Sequence, residues 1–190
     1  MKNSLEVVKN FLPTCEQEGK DKDFIMQASK MKLPLLDRDC FCFHFCASAC
    51  VLNQTHSKVL CCFHNIYQSW TIPGGHSEGV DDLLGTAKRE LEEETSLHDY
   101  NLLSTTPISL DILSTEGHFR FGNYVPAHTH FVVTYLFEAN DKQKIQPQIE
   151  ENKSVRWIDV KKLKEIAKEA QMKRVYSKIY QKLKDNHIVR

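Results

Sequence analysis

The acidic segment at 89–94, Arg-Glu-Leu-Glu-Glu-Glu, constrains this chain more than any other part of its sequence. It lies in a stretch that predicts a helix over 81–95, and each residue of a helix advances about 100° around the axis. With Glu90 set at 0° on the helical wheel, Glu94 falls at about 40° and Glu93 at about −60°. Three carboxylates are therefore expected on one face of the helix.

An apolar stripe borders that acidic face, because Leu84, Ala87 and Leu91 fall between about 60° and 120° on the same helical wheel. Lys88 and Glu92 fall on the opposite side, which we expect to be solvated. Carboxylates crowded beside a buried stripe repel one another and resist desolvation, so a positive partner is expected. Hard divalent cations such as Mg²⁺ take oxygen ligands and suit this cluster. An acidic surface helix with i,i+4 ion pairs is the alternative.

A longer pattern around the helix favours the metal site. The segment resembles the Nudix box, G-x5-E-x7-R-E-U-x-E-E-x-G-U, in which U is a bulky aliphatic residue. Seven of its nine defined positions are in register, namely Gly75, Arg89, Glu90, Leu91, Glu93, Glu94 and Leu97. The resemblance extends less specifically over about 43–160. The sequence is thus identified as similar to the Nudix hydrolase family.

Two positions depart from the family pattern. Asp81 stands where the family has Glu, which keeps the acidic group, and Asp is also a good residue for the N-terminal cap of a helix. Ser96 stands where the family has Gly, at a helix end where a positive φ is often needed. We expect Ser96 to cost some stability without removing a carboxylate of the core pattern.

The resemblance implies an α/β/α sandwich with a mixed sheet, in which the box forms a loop and a helix. It also implies Mg²⁺ or Mn²⁺ and hydrolysis of the pyrophosphate bond in a nucleoside diphosphate linked to another moiety. By position, Glu90, Glu93 and Glu94 match the metal-binding carboxylates, and the carbonyl of Gly74 matches a backbone ligand. Arg89 would orient a neighbouring carboxylate.

The residue that accepts a proton from the attacking water varies in this family between box glutamates and a glutamate outside the box. Glu93 and Glu94 are the candidates inside the box. Glu151 is the candidate outside it, because it lies in a polar loop six residues before Trp157, where a strand is expected to start. An exposed loop carboxylate is the alternative for Glu151.

Substrate selection is less readable from the sequence. Aromatic rings could stack on a base, cations and imidazoles on a probable loop could reach a phosphate, and residues two apart in a strand share a face. Core packing or edge exposure is the alternative for each residue. The candidates for substrate binding are Tyr67, Trp70, Arg120, Tyr124, His128 and His130.

Two other functions compete with hydrolysis. A protein of this fold can bind a nucleotide as a sensor without turnover, but such proteins usually have eroded box glutamates, and these are intact here. An isomerase of the same fold acting on a diphosphate would need a catalytic cysteine in a defined place, and no cysteine follows Cys62.

The rest of the chain supplies decoration around this centre. Residues 1–36 are predicted as an N-terminal helical extension, with Thr14 and Gln17 forming a capping box, and 37–190 as the Nudix domain with its C-terminal helices. Strands are expected at 41–52, 58–64, 108–113, 128–137 and 154–158, and helices from 160 to about 185. In the last helix, the lysines, Lys178 and Lys182 among them, are assigned to the solvated side.

Charge and composition limit the partners. The chain of 190 residues carries 25 basic and 25 acidic residues, so nothing indicates a nucleic-acid footprint or a polybasic membrane patch. No apolar run approaches the roughly 18 residues of a membrane span, and the first ten residues lack a signal-peptide core. We expect a cytoplasmic enzyme with a small nucleotide-like substrate and no membrane or nucleic-acid partner, and a homodimer remains open.

Seven cysteines are present, and five of them lie in two predicted strands. In a cytosolic protein such residues usually act as small reduced hydrophobic residues. A metal cluster of Cys42, Cys46 and Cys50 is disfavoured, because each four-residue step along a strand separates successive thiols by about 13 Å. We therefore expect free thiols and no metal held by these three cysteines.

Overall fold

The fold was analysed in a computed structural model that describes residues 3–40, 42–120 and 122–189, with the side chain of Arg120 also outside the description. Within these ranges, the helices are too short or too polar to cross a lipid bilayer.

A mixed sheet of eight strands forms the centre of the fold, with a separate hairpin of two strands. The path through the sheet is β10-β2-β1-β9-β5, with β3 paired to β2, β4 to β1 and β6 to β9. The strands are β1 (Phe43–Asn53), β2 (Lys58–His64), β3 (Ser69–Thr71), β4 (Gly74–His76), β5 (Tyr100–Leu102), β6 (Ser109–Thr115), β7 (His118–Arg120), β8 (Asn123–Val125), β9 (His128–Ala139) and β10 (Asn152–Asp159). β7 and β8 form the hairpin.

The pairing of β1 with β9 is parallel over its whole length, whereas the other ladders of the sheet are antiparallel. A parallel pair needs a long crossover connection, usually one that contains a helix. Here the crossover contains α3 (Leu83–Thr95), which packs against β1. The fold therefore places the acidic helix directly against the central strand.

Alternate residues of β1 face two different cores, as the two-residue period of a strand requires. Phe45, Ala47, Ala49 and Val51 belong to the core under α3. Cys50 and Leu52 belong to the opposite core, which is covered by the C-terminal helices α4 (Leu163–Ile166) and α5 (Ala170–Asp185). This arrangement confirms the predicted α/β/α sandwich with a mixed sheet.

The N-terminal segment folds as α1 (Ser4–Asn10) and α2 (Glu16–Ala28), followed by a 3₁₀ turn at Ser29–Met31. Val8, Phe11 and Ile25 are buried in the same core as α3. The two helices thus share the core of the sandwich, and the boundary between 36 and 37 stays a prediction.

The predicted capping box of the second helix is wrong in detail. Cys15 occupies the N-terminal cap of α2, and its side chain makes no capping hydrogen bond. The Thr14 backbone N–H instead donates to the Glu18 carboxylate at 2.9 Å, so the partner lies four residues on rather than at Gln17. Glu18 is fully buried and forms an ion pair with Lys182, which holds its carboxylate beside the Thr14 N–H.

The predicted strands agree closely with the structure, and 58–64 is identical to β2. Phe41 lies outside the described residues, and β1 begins at Phe43. The short strands β3, β4 and β5 were missed, because three residues carry too little periodic pattern. The segment around Arg120 and Tyr124, expected to be a loop, is the β7–β8 hairpin.

Lys182 of α5 is buried and Lys178 is largely withdrawn from solvent, which corrects the assignment of both lysines to the solvated side. The Lys182 ammonium donates to the buried carboxylate of Glu18 and to the Ile108 carbonyl. The Lys178 ammonium lies 2.7 Å from the Asp111 carboxylate and 3.3 Å from that of Glu18. These ion pairs connect α2, β6 and α5, which are far apart in sequence, so the helical wheel of α5 alone could not indicate them.

The ends of α3 explain both departures from the box pattern. Asp82, and not Asp81, is the N-terminal cap, accepting a hydrogen bond from the Gly85 backbone N–H at 3.0 Å. The Asp81 carboxylate instead accepts from the Ser4 backbone N–H at 2.7 Å, at the start of α1. Ser96 closes α3 in the left-handed region, with φ of 56°. The structure thus confirms that Ser stands where a positive φ is needed.

Ser96→Gly should raise the free energy of unfolding by about 0.5–1 kcal/mol. Removing the strain of a non-glycine residue in the left-handed region stabilises the fold by about 1–2 kcal/mol. The greater conformational freedom of Gly in the unfolded chain cancels about half of that gain. The measurement is thermal unfolding of the metal-free protein, with an expected rise in Tm of about 2–3 °C. Ser96→Ala is the control, since it keeps the Cβ and should change Tm little. A Tm for Ser96→Gly at or below wild type would contradict strain at this position.

Candidate active site

The glycine pair at the start of β4 lets three elements approach closely. A Cβ added to Gly75 would lie 2.5 Å from the carboxyl carbon of Glu90. A Cβ added to Gly74 would lie 2.3 Å from the Ser48 hydroxyl and 2.8 Å from the Ala47 carbonyl. Only glycine therefore allows β4 to lie between β1 and the acidic face of α3.

Glu94 is the most deeply buried carboxylate of the box, with 2% exposure. One of its oxygens accepts from the Gly74 backbone N–H at 2.8 Å, and the other accepts from the Asn152 side-chain amide at 2.8 Å. Burial raises the pKa of Glu94 to about 8, because these two hydrogen bonds only partly offset the loss of water. The box helix is thereby joined to β4 and β10 through one carboxylate.

Glu90 is also buried, with 7% exposure. Burial is the main cause that raises its pKa to about 7, and the negative charges of Glu93 and Glu151 act in the same direction. The Arg89 guanidinium, 2.9 Å from the Glu90 carboxylate, opposes the shift. Two neighbouring box carboxylates are thus held where their charged forms are disfavoured in the metal-free protein.

Arg89 connects the remaining parts of the box. Its guanidinium contacts the Glu93 carboxylate at 3.0 Å and donates to the His76 carbonyl at 2.7 Å, in addition to its contact with Glu90. Glu93 differs from its two partners because its side chain is 50% exposed. Glu92 lies on the other side of the helix, where it accepts a hydrogen bond from the Tyr100 hydroxyl at 2.5 Å.

The donor set fits a hard divalent cation. Glu93 and Glu94 lie in the last turn of α3, at the negative end of the helix dipole, and this turn contains no basic residue. Buried carboxylates in this position are stabilised by a cation that takes oxygen ligands, as Mg²⁺ and Mn²⁺ do. Glu90, Glu93 and Glu94 are the carboxylates that the fold collects here, next to the backbone of Gly74.

A cavity of about 890 Å³ opens beside these residues, between the sheet and the start of α5. Gly74, Arg89, Glu90 and Glu93 line it, while Glu94 lies behind the lining. Its size is suited to a ligand such as a nucleotide, since small-molecule sites commonly enclose about 300–1,000 Å³.

Glu151 lines the same cavity, at the end of the loop before β10. Its charge acts on both Glu90 and Glu94, which places the Glu151 carboxylate close to the box carboxylates. The structure therefore brings the candidate outside the box into the site, 57 residues after Glu94 in the chain.

The candidates for substrate binding separate into two groups. Tyr67, Tyr124, His128 and His130 line the cavity. The Arg120 side chain lies outside the described part of the structure, so its role stays a prediction.

Trp70 is not among the residues that line the cavity, so its assignment to the substrate stays a prediction. Its ring lies edge-on to that of Phe63 at 5.3 Å between centroids, and the Arg156 guanidinium lies over the Trp70 ring, 5.4 Å from its centroid. Trp70 belongs to β3, a strand of three residues that pairs with β2. The sequence of so short a strand does not show which face of the sheet each side chain occupies. The structure gives this tryptophan a packing role.

The sequence predicted only half of a group of imidazoles that lines the cavity. His128 and His130 were expected to share a face, and the structure adds His44 and His76 to them. Burial lowers the pKa of His76 to about 2 and that of His130 to about 3, so these rings are neutral. The alternation His-x-Cys at the start of β1 was the available signal, but only strand pairing relates it to His76 and His130.

The metal-free protein should lose stability as pH rises through the range in which Glu90 ionises. Its carboxyl has an ordinary pKa of 4.5 in the unfolded chain and a pKa of about 7 in the fold. The folded state therefore holds a proton that the unfolded state has released, and this contribution to stability is lost as pH rises toward and through about 7. Without divalent metal, Glu90→Gln should exceed wild type at pH 8.5 by on the order of 2 kcal/mol in free energy of unfolding.

The measurement is chemical unfolding at pH 5 and at pH 8.5 in the presence of a chelator. Glu92→Gln is the matched control, because it removes the same charge from a side chain that is 41% exposed. An equal gain in both variants, or none in Glu90→Gln, would show that burial of Glu90 does not carry the effect.

Comparisons with known proteins agree with this geometry. The family model of the NUDIX domain matches residues 43–182. An m7GpppN-mRNA hydrolase, NUDT17 of Xenopus laevis, is 29% identical over 125 residues, which cover 61% of this chain and 39% of that protein. The chain thus corresponds to well under half of the length of this curated relative.

Two solved structures share the fold at low identity. An Ap4A hydrolase of C. elegans in a binary complex has a TM-score of 0.56 and 19% identity, covering 74% of this chain and 98% of the other. A NUDIX-family hydrolase from Clostridium perfringens has a TM-score of 0.51 and 20% identity, covering 74% and 97%. Because the family pattern covers well over half of the sequence and the box residues lie together in the structure, the chain belongs to the Nudix hydrolase family.

Proposed function

We propose that this protein is a Mg²⁺- or Mn²⁺-dependent hydrolase that cleaves the pyrophosphate bond of a nucleoside diphosphate linked to another moiety. The observation that carries the proposal is the burial of Glu90 and Glu94 beside Arg89, at a cavity large enough for a nucleotide. Buried carboxylates with raised pKa values need a nearby cation if they are to stay charged. Carboxylates on an exposed surface helix stay charged without one.

Glu90, Glu93, Glu94 and the Gly74 carbonyl would hold the metal. A bound divalent ion supplies neutralisation of the phosphate oxygens, which would otherwise repel an incoming water. Arg89 positions Glu90 and Glu93 by direct ion pairs and is itself fixed by the His76 carbonyl. The Gly74 N–H and the Asn152 amide hold Glu94 in one orientation.

Glu151 is the proposed base that accepts a proton from the attacking water. It reaches the cavity from a loop outside the box, so it does not lie on the rigid face of α3. Its charge acts on Glu90 and Glu94, the residues that would hold the metal, so its carboxylate is within electrostatic reach of the site where a water would be activated. Glu93, whose side chain is more exposed than those of Glu90 and Glu94, is the second candidate.

Part of the cavity lining suits a flat, apolar group. Phe119 and Tyr124, on the β7–β8 hairpin, are 72% and 62% exposed and both line the cavity. Exposed aromatic rings offer faces on which a nucleobase stacks. Carboxylates and exposed aromatic rings that line one cavity together favour a phosphate chain attached to a base.

A sensor that binds a nucleotide without turnover is the alternative function. Intact Glu90, Glu93 and Glu94 argue against it, since binding alone does not need buried carboxylates that repel one another.

A panel of candidate substrates, each tested with Mg²⁺, would identify the substrate class. The panel contains m7GpppN-capped RNA and Ap4A, after the names of the relatives, and also nucleoside triphosphates, ADP-ribose and nucleotide sugars. Binding without release of phosphate or nucleotide from any of them would support the sensor.

Glu93→Gln should lower kcat/KM by at least about 100-fold and weaken activation by Mg²⁺, because the cation loses an anionic oxygen. Folding should be retained, since the Glu93 side chain is half exposed. The measurement is kcat/KM against Mg²⁺ concentration. Glu92→Gln is the matched control and should leave both the rate and the Mg²⁺ dependence nearly unchanged. Equal damage in both variants would exclude the assignment of the metal to this face of α3.

Glu151→Gln should lower kcat by about 100-fold or more, the scale for a general base, while Tm changes little. The matched control is Glu150→Gln, which removes the adjacent negative charge. Glu151, and not Glu150, contributes to the raised pKa values of Glu90 and Glu94. Steady-state rates and thermal melts of both variants are the measurements. An unchanged kcat in Glu151→Gln would transfer the role of base to Glu93.

A further inference from the structure

Four side chains with nitrogen or sulfur donors meet on the cavity wall, next to the box loop. They are His44, Cys46, His76 and His130, here termed the histidine–cysteine cluster. One donor atom from each residue lies within 4.8 Å of the donor atoms of the other three. The Nε2 atoms of His76 and His130 are 3.2 Å apart.

Strand register explains why these residues meet. His44 and His130 are direct neighbours across the parallel pair β1–β9, and Cys46 and His76 are direct neighbours across the antiparallel pair β1–β4. His44 and Cys46 are two residues apart in β1, so their side chains share one face of the sheet. Three adjacent strands thus direct four donors to one point.

His44 indicates that the cluster would accept a further ligand, because one of its ring nitrogens is left unpaired by the described residues. The residue is 2% exposed, and its Nδ1 contacts the Cys40 carbonyl at 3.1 Å. Its Nε2 is fully buried and has no hydrogen-bond partner among the residues that the structure describes. A buried polar atom without a partner is costly, and an imidazole that bonds a carbonyl through one nitrogen typically offers the other to a metal. His130 has a comparable outer contact, with Thr115 Oγ1 3.3 Å from its Nδ1.

We propose that the histidine–cysteine cluster is a binding site for Zn²⁺ or a similar divalent transition-metal ion. Three imidazoles and one thiolate form a four-ligand tetrahedral set, with zinc–nitrogen distances of about 2.0–2.1 Å and a zinc–sulfur distance of about 2.3 Å. Those bonds place the donors about 3.3–3.7 Å from one another. The observed spread of up to 4.8 Å closes by small rotations of the side chains.

Ligand chemistry separates this site from the box carboxylates. Imidazole nitrogen and thiolate sulfur favour zinc, whereas Mg²⁺ prefers oxygen. Cys46 is buried, so its thiol is protonated without metal, and zinc binding forms the Zn–S bond while the thiol proton leaves to the solvent. Cys46, first expected to be only a packing residue, thereby becomes a ligand together with histidines from other strands, without Cys42 or Cys50.

The ion would fix the box loop on the sheet. His76 ends β4, directly after Gly74 and Gly75, and its carbonyl accepts a hydrogen bond from Arg89. A metal that joins His76 to β1 and β9 therefore holds the acceptor that positions Arg89. The site is structural, and it is independent of whether the box carboxylates turn over a substrate.

The test uses the reduced, metal-free full chain, titrated with Zn²⁺ against a chromophoric chelator in excess Mg²⁺. One Zn²⁺ per chain should bind, and Mg²⁺ should not displace it. Co²⁺ in place of Zn²⁺ should produce the intense absorption of tetrahedral coordination and a thiolate-to-cobalt charge-transfer band. Absence of stoichiometric Zn²⁺ binding, or of the charge-transfer band, in the wild-type protein overturns the proposal, even if every variant misfolds.

Variants assign the ligands. Cys46→Ser should remove the charge-transfer band and weaken Zn²⁺ by more than the roughly 10–100-fold lost with an outer partner of a ligand. Cys50→Ser is the matched control, a buried thiol four residues along the same strand, and should keep both the band and the affinity. Glu93→Gln should also keep the Zn²⁺ affinity, which separates this site from the proposed Mg²⁺ site. Equal Zn²⁺ affinity in Cys46→Ser and wild type overturns the assignment.

Discussion

Burial of two carboxylates beneath a glycine turn is the constraint on which the rest of the site depends. Glu90 and Glu94 are removed from water by β1, β4 and β10, and their neutral forms are favoured in the absence of metal. A structure tolerates such groups only when hydrogen bonds and a counter-charge compensate for the lost hydration. The Gly74 N–H and the Asn152 amide supply the first, Arg89 supplies part of the second, and a divalent cation would complete it.

The parallel pairing of β1 with β9 determines where the cavity lies and what lines it. The crossover that this pairing requires contains α3, so the acidic helix lies on one side of the strand while the other side faces α4 and α5. The same pairing brings His130 beside His44, 86 positions away in the chain. Buried ion pairs of Lys178 and Lys182 with Glu18 and Asp111 then hold α5 and α2 at the edge of the sandwich.

Two donor sets of different chemistry lie within a few residues of each other in the box loop. Gly74 and Gly75 approach the oxygen donors of α3, and His76 joins the nitrogen and sulfur donors of the sheet. Oxygen donors select hard cations and imidazole with thiolate selects softer ones, so the two positions need not compete for one metal. Arg89 connects them, because it contacts Glu90 and the carbonyl of His76.

The sequence by itself determined the features that depend on neighbours along the chain. The helical period was enough to place Glu90, Glu93 and Glu94 apart from Glu92. A run of apolar residues located β2, and the box pattern indicated that Ser96 would stand where φ is positive. It could not distinguish buried Glu90 and Glu94 from half-exposed Glu93, since exposure depends on which strands cover each side chain. Nor could it join His44, Cys46 and His76 to His130, or show that Lys182 is buried and Trp70 is packed away from the cavity. Tertiary structure alone decided these, because burial and electrostatic interaction act through space between residues that the chain keeps far apart.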